Sequence, residues 1–376
     1  MKCPSEFGRS LHDLPTEVIV EILAHLPVKS IGRFRCVSKS WAALTSSPSF
    51  INAHLNLHSS NNNKHQILCT LPFWNPNHRH SIYLLRRGGS AAPLLLDFPP
   101  SIQFKYSPES QVRACSHRGL VCLWAYGSAS PIYLWNPSTR ETRALPASRH
   151  HSSHRVRFAW AGLGSLRLSD GTEDYKVVRV LRLQELEIIA EVYSLRRDSW
   201  KAVAVNPKMP LIRLCSSEVA VVNQTVNWIG LQNPLRFAMV SFDVAAETFR
   251  CIEFSPNCLL TPRIGAWKES VGVLVETESG EWEVWVMGET SWAKVFVFKP
   301  DDHMGGSVTP LGLTTGDEIL LSRKRKSRIM RMKVKEGGEM GGKVVDEEFD
   351  FVLPMDVDVG CMCACYGHME SLVSIN

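Results

Sequence analysis

No hydrophobic run in these 376 residues reaches the roughly 18 apolar positions that a membrane-spanning helix needs, because charge, glycine or proline interrupts each one first. The N-terminus, MKCPSEFGRS, lacks the apolar core of a secretory signal. Both absences point to a soluble, intracellular chain. A strong charge excess is missing too. The 42 basic and 37 acidic residues leave a formal +5, too little for the one-sided basic surface of a dedicated nucleic-acid binder. There is no G-x-S-x-G elbow, no phosphate-cradling glycine loop and no H-E-x-x-H pair, so no familiar hydrolase, nucleotide or zinc-protease site is spelled out. Eleven cysteines, odd in number, scattered and without a secretory signal, read as reduced thiols that mostly fill core positions.

What is present falls into two parts with different periods. From Leu14 the apolar residues Ile19, Ile22, Leu23 and Leu26 recur at i, i+3, i+4 and i+7, one stripe of a helix. Pro15 suits a first helical position and Pro27 ends the run. A second short helix is expected through Val28, Ile31 and Phe34, a third capped by Ser38, and a fourth starting at Pro48. The polar stretch SSNNNK from Ser59 then marks a change of period from 3.6 to 2. The expected organisation is an α+β multidomain chain: a helical unit at 8–55, a polar linker at 56–63, and a mainly antiparallel all-β domain at 64–376.

The β part hides a repeat. Four segments align without gaps: WNPSTRETRAL from Trp135, YSLRRDSWKAV from Tyr193, FDVAAETFRCI from Phe242 and WVMGETSWAKV from Trp285. In each, an aromatic closes a strand-like run, six mainly polar residues follow, and the eighth position is Thr142, Trp200, Phe249 or Trp292. A further column, Leu145, Val203, Ile252 and Val295, is apolar. Two strands joined by a turn bring such positions together, so each unit reads as a hairpin. The starts are 58, 49 and 43 residues apart, near the roughly 50 of kelch-like blades, which predicts a β-propeller whose ring closure protects strand edges. Flanking strands raise the expectation from four blades to six or seven.

Other clusters carry little chemistry. Cys361, Cys363 and Cys365 alternate along a strand, unlike the C-x-x-C of zinc sites. His150, His151 and His154 lie in a Ser-rich loop, and Asp301-Asp302-His303 reads as an acidic turn. The basic run from Arg323 to Lys335 is interrupted by Ile329, Met330, Met332 and Val334 and followed by acidic residues, so a nuclear-import patch competes there with an ordinary strand. No metal, cofactor or catalytic residue is expected.

The opening stretch DLPTEVIVEILAHLPVKSIGRFRCVSKSW resembles an F-box, the helical motif that binds a Skp-type adaptor. The segments SHRGLVCLW, LWNPSTRETRALP, DYKVVRV, VYSLRRDSWKAV, VSFDVAAETFRCIEF and VWVMGETSWAKVF resemble, in order, the F-box-associated domain of plant F-box proteins, and YGHMESLVSI looks like that family's closing strand. Gly32 departs from a pattern that usually carries a larger apolar residue. The resemblance implies a substrate receptor of a Skp–cullin–F-box ubiquitin ligase. Its expected partners are the adaptor, through it cullin and RING subunits, and an unknown target, with no membrane and no nucleic acid among them. It implies an adaptor face including Leu14, Pro15, Val18, Ile22, Ile31, Val37 and Trp41, with Trp41 as a hot spot and with core of the helical unit as the alternative, for Ile22 and Val37 above all. For target capture, Trp160, Arg236, Arg263 and Trp267 are candidates, because exposed aromatics and arginines carry binding energy, with blade core or plain solvated surface an equal alternative for each. The expected location is cytoplasm or nucleus. Two rivals remain: an F-box protein that pairs with the adaptor without recruiting cullin, and a propeller enzyme with a metal or organic cofactor.

Overall fold

The computed structural model describes residues 14–59, 66–71, 81–85, 94–96, 99–102, 111–126, 131–148, 156–183, 187–209, 212–214, 218–233, 236–254, 256, 258, 260–299, 308–314, 318–323, 328–334, 347–352 and 364–375. Four helices come first: α1 (Thr16–Ala24), α2 (Val28–Phe34), α3 (Lys39–Ser46) and α4 (Pro48–Ser59). Prolines set two of their starts. Pro15 and Pro27 sit just ahead of α1 and α2 in extended conformation, where a missing N–H costs nothing, and their carbonyls accept the first helical bonds. The hydroxyl of Ser38 caps α3 by accepting from Trp41 N at 3.1 Å, and Ser47 does the same for Phe50 N of α4 at 3.3 Å. Arg35, just past α2, ties the bundle by donating from Nη2 to the carbonyl of Thr45 at 2.7 Å.

The remainder is six antiparallel sheets among the described residues. One pairs β4 (Gln111–His117), β5 (Leu120–Tyr126), β6 (Tyr133–Asn136) and β7 (Glu141–Ala144). The next holds β8 (Val156–Arg167), β9 (Glu173–Leu183), β10 (Ile188–Ser194) and β11 (Ser199–Val203). The third has a divided inner edge, β12 (Arg213–Leu214) and β13 (Ala220–Val222) both pairing β14 (Thr225–Asn233), followed by β15 (Arg236–Asp243) and β16 (Thr248–Phe254). The fourth runs β17 (Arg263–Trp267), β18 (Ser270–Glu276), β19 (Trp282–Met287), β20 (Trp292–Phe298), and the fifth β21 (Val308–Thr314), β22 (Glu318–Arg323), β23 (Arg328–Lys333), β24 (Glu347–Val352). The sixth joins the two ends of the chain: β25 (Ala364–His368) pairs β1 (Gln66–Leu71), which pairs β2 (Ser81–Leu85) and then β3 (Leu94–Leu96). Inner strands touch around a ring, β4 to β8, β8 to β13, β13 to β17, β17 to β21, β21 to β25 and β25 back to β4. This is a six-bladed propeller closed by its last strand, so no blade edge is left at the seam.

Three of the four repeated hairpins form as their columns predict. Trp135 faces Thr142, Tyr193 faces Trp200 and Phe242 faces Phe249 directly across the ladder. Each turn ends in a non-glycine residue with positive φ at the same column: Arg140 (63°), Asp198 (50°) and Glu247 (54°). Left-handed backbone of that kind is costly, and each turn offsets it with a side chain at the second position of the unit. Asn136 Oδ1 accepts from Ser138 N at 2.9 Å, Asp243 Oδ1 from Ala246 N at 2.8 Å, and Ser194 Oγ from Arg197 N at 3.1 Å. The fourth hairpin slips. A register shift at Val284/Trp285 sets Trp285 opposite Lys294 and Trp292 opposite Met287, and Val295, apolar in the sequence column, is exposed. What Trp292 retains is its tie to the preceding blade: its indole N–H donates to Glu253 O at 3.1 Å, as that of Trp200 donates to Pro146 O at 2.7 Å.

Candidate adaptor-docking surface

The helical domain rests on the propeller face that carries the turns within blades. Asn52 Nδ2 on α4 donates to the carbonyl of Gly171 in the β8–β9 turn at 2.7 Å, and Arg118 of the β4–β5 turn donates to Asn56 Oδ1 at 3.2 Å. Leu55 on α4 joins the core of the neighbouring blades. The chain's end makes the closest union. β25 stops at His368 rather than continuing through Ile375, and the following segment crosses the β6–β7 turn. There Asn136 Nδ2 donates to the carbonyls of Ser371 (3.0 Å) and Val373 (2.8 Å), and Arg143 to that of Ile375 (3.1 Å). Leu372, 2% exposed, inserts into the helical core beside Leu23, Val28, Ile31 and Phe50. The helical core is therefore completed by a residue more than 320 positions away in the chain.

The other side of α1 is not completed. Among the described residues seven large hydrophobics are exposed, and four of them lie between positions 14 and 37: Leu14 (40%), Val18 (38%), Ile22 (49%) and Val37 (69%). Val18 and Ile22, one turn apart on α1, share one face, and Leu14 lies just ahead of the helix, while Leu23 and Ala24 of the same helix are buried. Pro15 is exposed beside them. Trp41 is half-buried, packed against the helical core with its ring edge-on to Phe34 at 5.2 Å between centroids, so it presents part of a ring rather than a free knob. Ile31 is fully buried and forms the core beneath, because its position on the short α2 turns it toward Leu23 and Phe50. Of the seven residues expected on this face, the structure brings Leu14, Pro15, Val18, Ile22 and Val37 to the surface and gives Ile31 a scaffold role.

The four expected target contacts divide similarly. Trp160 (2% exposed) and Trp267 (6%) are blade core, since inner-strand positions lie between neighbouring sheets. Arg263 is drawn inward by an ion pair to Glu218 at 2.7 Å and donates to Leu311 O at 3.2 Å, pinning three consecutive blades. Arg236 alone of the four is exposed, at the start of β15 on the face opposite the helices. Cys361, Cys363, His150, His151, His154 and Asp301 to His303 lie outside the described residues, as do 324–327 and Lys335 of the basic run; Cys365 lies on β25. Among the described residues no group of three His, Cys, Asp or Glu could hold a metal, and no helix is long and apolar enough to cross a membrane. Cys115 and Cys122 are free, fully buried and opposite each other on β4 and β5, where burial pushes the Cys122 thiol up.

Sequence reasoning missed Leu372 and Asn136. LWNPSTRETRALP marks Asn136 as part of a turn, but nothing local says that its amide also grips a segment 235 residues later.

Four helices seated on a ring of β-blades are the architecture of an F-box joined to a propeller domain. Residues 11–52 match the F-box domain and residues 97–375 match the F-box associated beta propeller domain, so the chain belongs to the F-box-associated β-propeller family. It is similar to an Arabidopsis thaliana F-box/kelch-repeat protein, 26% identical over 328 residues that cover 83% of this chain and 86% of the relative. It is also similar to the F-box protein CPR1 of the same plant, 26% identical with 76% and 73% covered, and to a putative F-box protein, 33% identical with 65% and 59% covered. An F-box implies a Skp-type adaptor as partner, and F-box proteins are generally non-catalytic subunits of ubiquitin ligases.

Proposed function

We propose that the chain is the substrate receptor of a Skp–cullin–F-box ubiquitin ligase. The F-box docks on the adaptor, which brings cullin and RING subunits, and the propeller holds a target protein for ubiquitination and degradation in cytoplasm or nucleus. The observation that carries this is that four of the seven exposed large hydrophobics among the described residues lie in the helical part, Leu14 just ahead of α1, Val18 and Ile22 on it and Val37 past α2, with exposed Glu17 and Glu21 beside those of α1. Leu14, Pro15, Val18, Ile22 and Val37 supply the contact area, with the exposed part of Trp41 at its edge. The chain does no chemistry; it raises the effective concentration of target lysines near the charged ubiquitin carrier. With the helices on one face of the ring, the opposite face, where Arg236 is exposed, is the place for a target.

Co-purification from plant extract with the proteasome blocked tests the reading. Wild type is expected to retain adaptor and cullin, and a Leu14→Ala/Pro15→Ala variant to lose both while keeping its circular dichroism. Adaptor without cullin would turn the assignment toward a scaffold, and neither partner with wild type would remove it.

A further inference from the structure

Between α2, the β6–β7 turn and the C-terminal segment lies a cleft of about 680 Å³, within the range of small-molecule sites. Lys29 and Arg33, one turn apart on α2, reach it from the helical domain, and Arg140 reaches it from the left-handed corner of the turn. All three are exposed, and none makes a side-chain hydrogen bond or ion pair with another described residue. The carboxylates at the rim are already engaged. Glu141 Oε2 accepts from Ile375 N at 2.9 Å and from Ser374 Oγ at 3.0 Å, and Glu370 accepts from Gln66 Nε2 at 3.4 Å. Those donors are neutral, so the carboxylates keep their charge, and Arg35, tied to the Thr45 carbonyl, lines the cleft as well; four cations against two carboxylates leave a formal excess of positive charge facing the space.

Gly32 keeps one wall of the cleft low. The F-box pattern usually has a larger apolar residue there, whereas an added Cβ at Gly32 would meet nothing within 4 Å. The missing side chain leaves the wall between Lys29 and Arg33 open. We propose that this cleft binds a small polyanion with two or more phosphate groups, seated over Gly32 and bridging Lys29 and Arg33 of the helices to Arg140 of the propeller. Two guanidinium forks match phosphate geometry, and paired phosphates supply enough charge to balance the excess of cations over Glu141 and Glu370 in a cleft open to screening ions.

The residues expected to hold the polyanion, Lys29, Arg33 and Arg140, are not among those proposed for adaptor docking, although Val37 of that face follows the cleft-lining Cys36 directly. Inorganic triphosphate is titrated calorimetrically into the intact chain at about 0.1 M salt, with citrate as a carboxylate polyanion alongside. One-to-one binding of triphosphate is expected, weakened at least about tenfold by Arg33→Glu/Arg140→Glu and by Gly32→Leu, and unchanged by Arg250→Glu, a charge reversal on exposed β16. Gly32→Leu favours the helix, so loss of binding there with an undiminished melting temperature separates occlusion from unfolding. Absence of heat at millimolar triphosphate, equal binding by the double variant, or citrate binding as tightly as triphosphate would each overturn it.

Discussion

The helices and the blades treat apolar surface in opposite ways. In the blades, aromatic and β-branched residues are covered by the next sheet, and the ring leaves no blade without a neighbour. In the helical domain one side of α1 is covered by the protein's own last residues, through Leu372, while the other side keeps Leu14, Val18 and Ile22 in solvent. Some forty residues cannot bury a sufficient core alone, and this domain draws Leu372 into its core from the C-terminal segment. The difference teaches that exposure here is positional. Ile22 and Ile31 lie nine residues apart with the same chemistry, and one is half exposed while the other is sealed.

The largest effect expected from breaking that contrast is at the sealed side. Ile31→Ala and Leu372→Ala should each lower stability by about 2–4 kcal/mol in urea unfolding, because each empties a packed site in the same core. Equal melting curves for Leu372→Ala and wild type would mean the C-terminal segment does not complete the F-box.

Next in size is Gly119→Ala. Gly119 has φ of +80°, and a Cβ there would overlap Ser371, so the variant should cost about 1–3 kcal/mol and speed proteolysis after residue 368. Limited proteolysis followed by mass measurement reads this out.

A pH effect of about 1–2 kcal/mol between pH 6.5 and 5 should come from the inter-blade seam. His368 is buried with Nδ1 2.8 Å from Ser116 Oγ, and burial holds its pKa down to about 4. The folded seam therefore keeps the imidazole neutral while the unfolded chain takes up a proton near 6.5. Stability is full above that value and falls as pH drops toward 4. His117, hydrogen-bonded to Ser165 at the next seam, shifts the same way to about 3, chiefly by burial and then by Arg118, but keeps some exposure and contributes less. His368→Gln should flatten the slope of stability against pH without abolishing it.

Smallest is Val295→Thr on the slipped hairpin. The side chain is 49% exposed, so a change within about 0.5 kcal/mol is expected, against a cost above 1 kcal/mol for Phe249→Ala, whose ring lies 4.7 Å from Phe242 in the regular one.

These contrasts also mark what the sequence disclosed. Period and capping residues placed the four helices, and the columns headed by Trp135, Tyr193 and Phe242 placed three hairpins to the residue, because the turn length and register are local properties. The slip at Trp285 was illegible, since Trp292 answers to Phe254 and Glu253 on another blade. For the same reason Trp160 and Trp267 read as surface candidates but are core, and Arg263 proved to be a tie between blades: burial in a ring depends on neighbours distant in sequence. Periodicity put Ile22 and Leu23 in one stripe with Ile19 and Leu26, whereas the fold exposes Ile22 and seals Leu23; Leu14 and Val18 were legible only through the F-box resemblance.

The measurement closest to the central claim is a titration of purified Skp-type adaptor onto wild type, Ile22→Asp and Arg250→Glu, with unfolding followed in parallel. Ile22→Asp should weaken adaptor binding at least about tenfold while leaving the melting temperature intact, since its side chain touches no sealed core. Unchanged affinity in a folded Ile22→Asp protein would contradict the account and move the docking surface off α1.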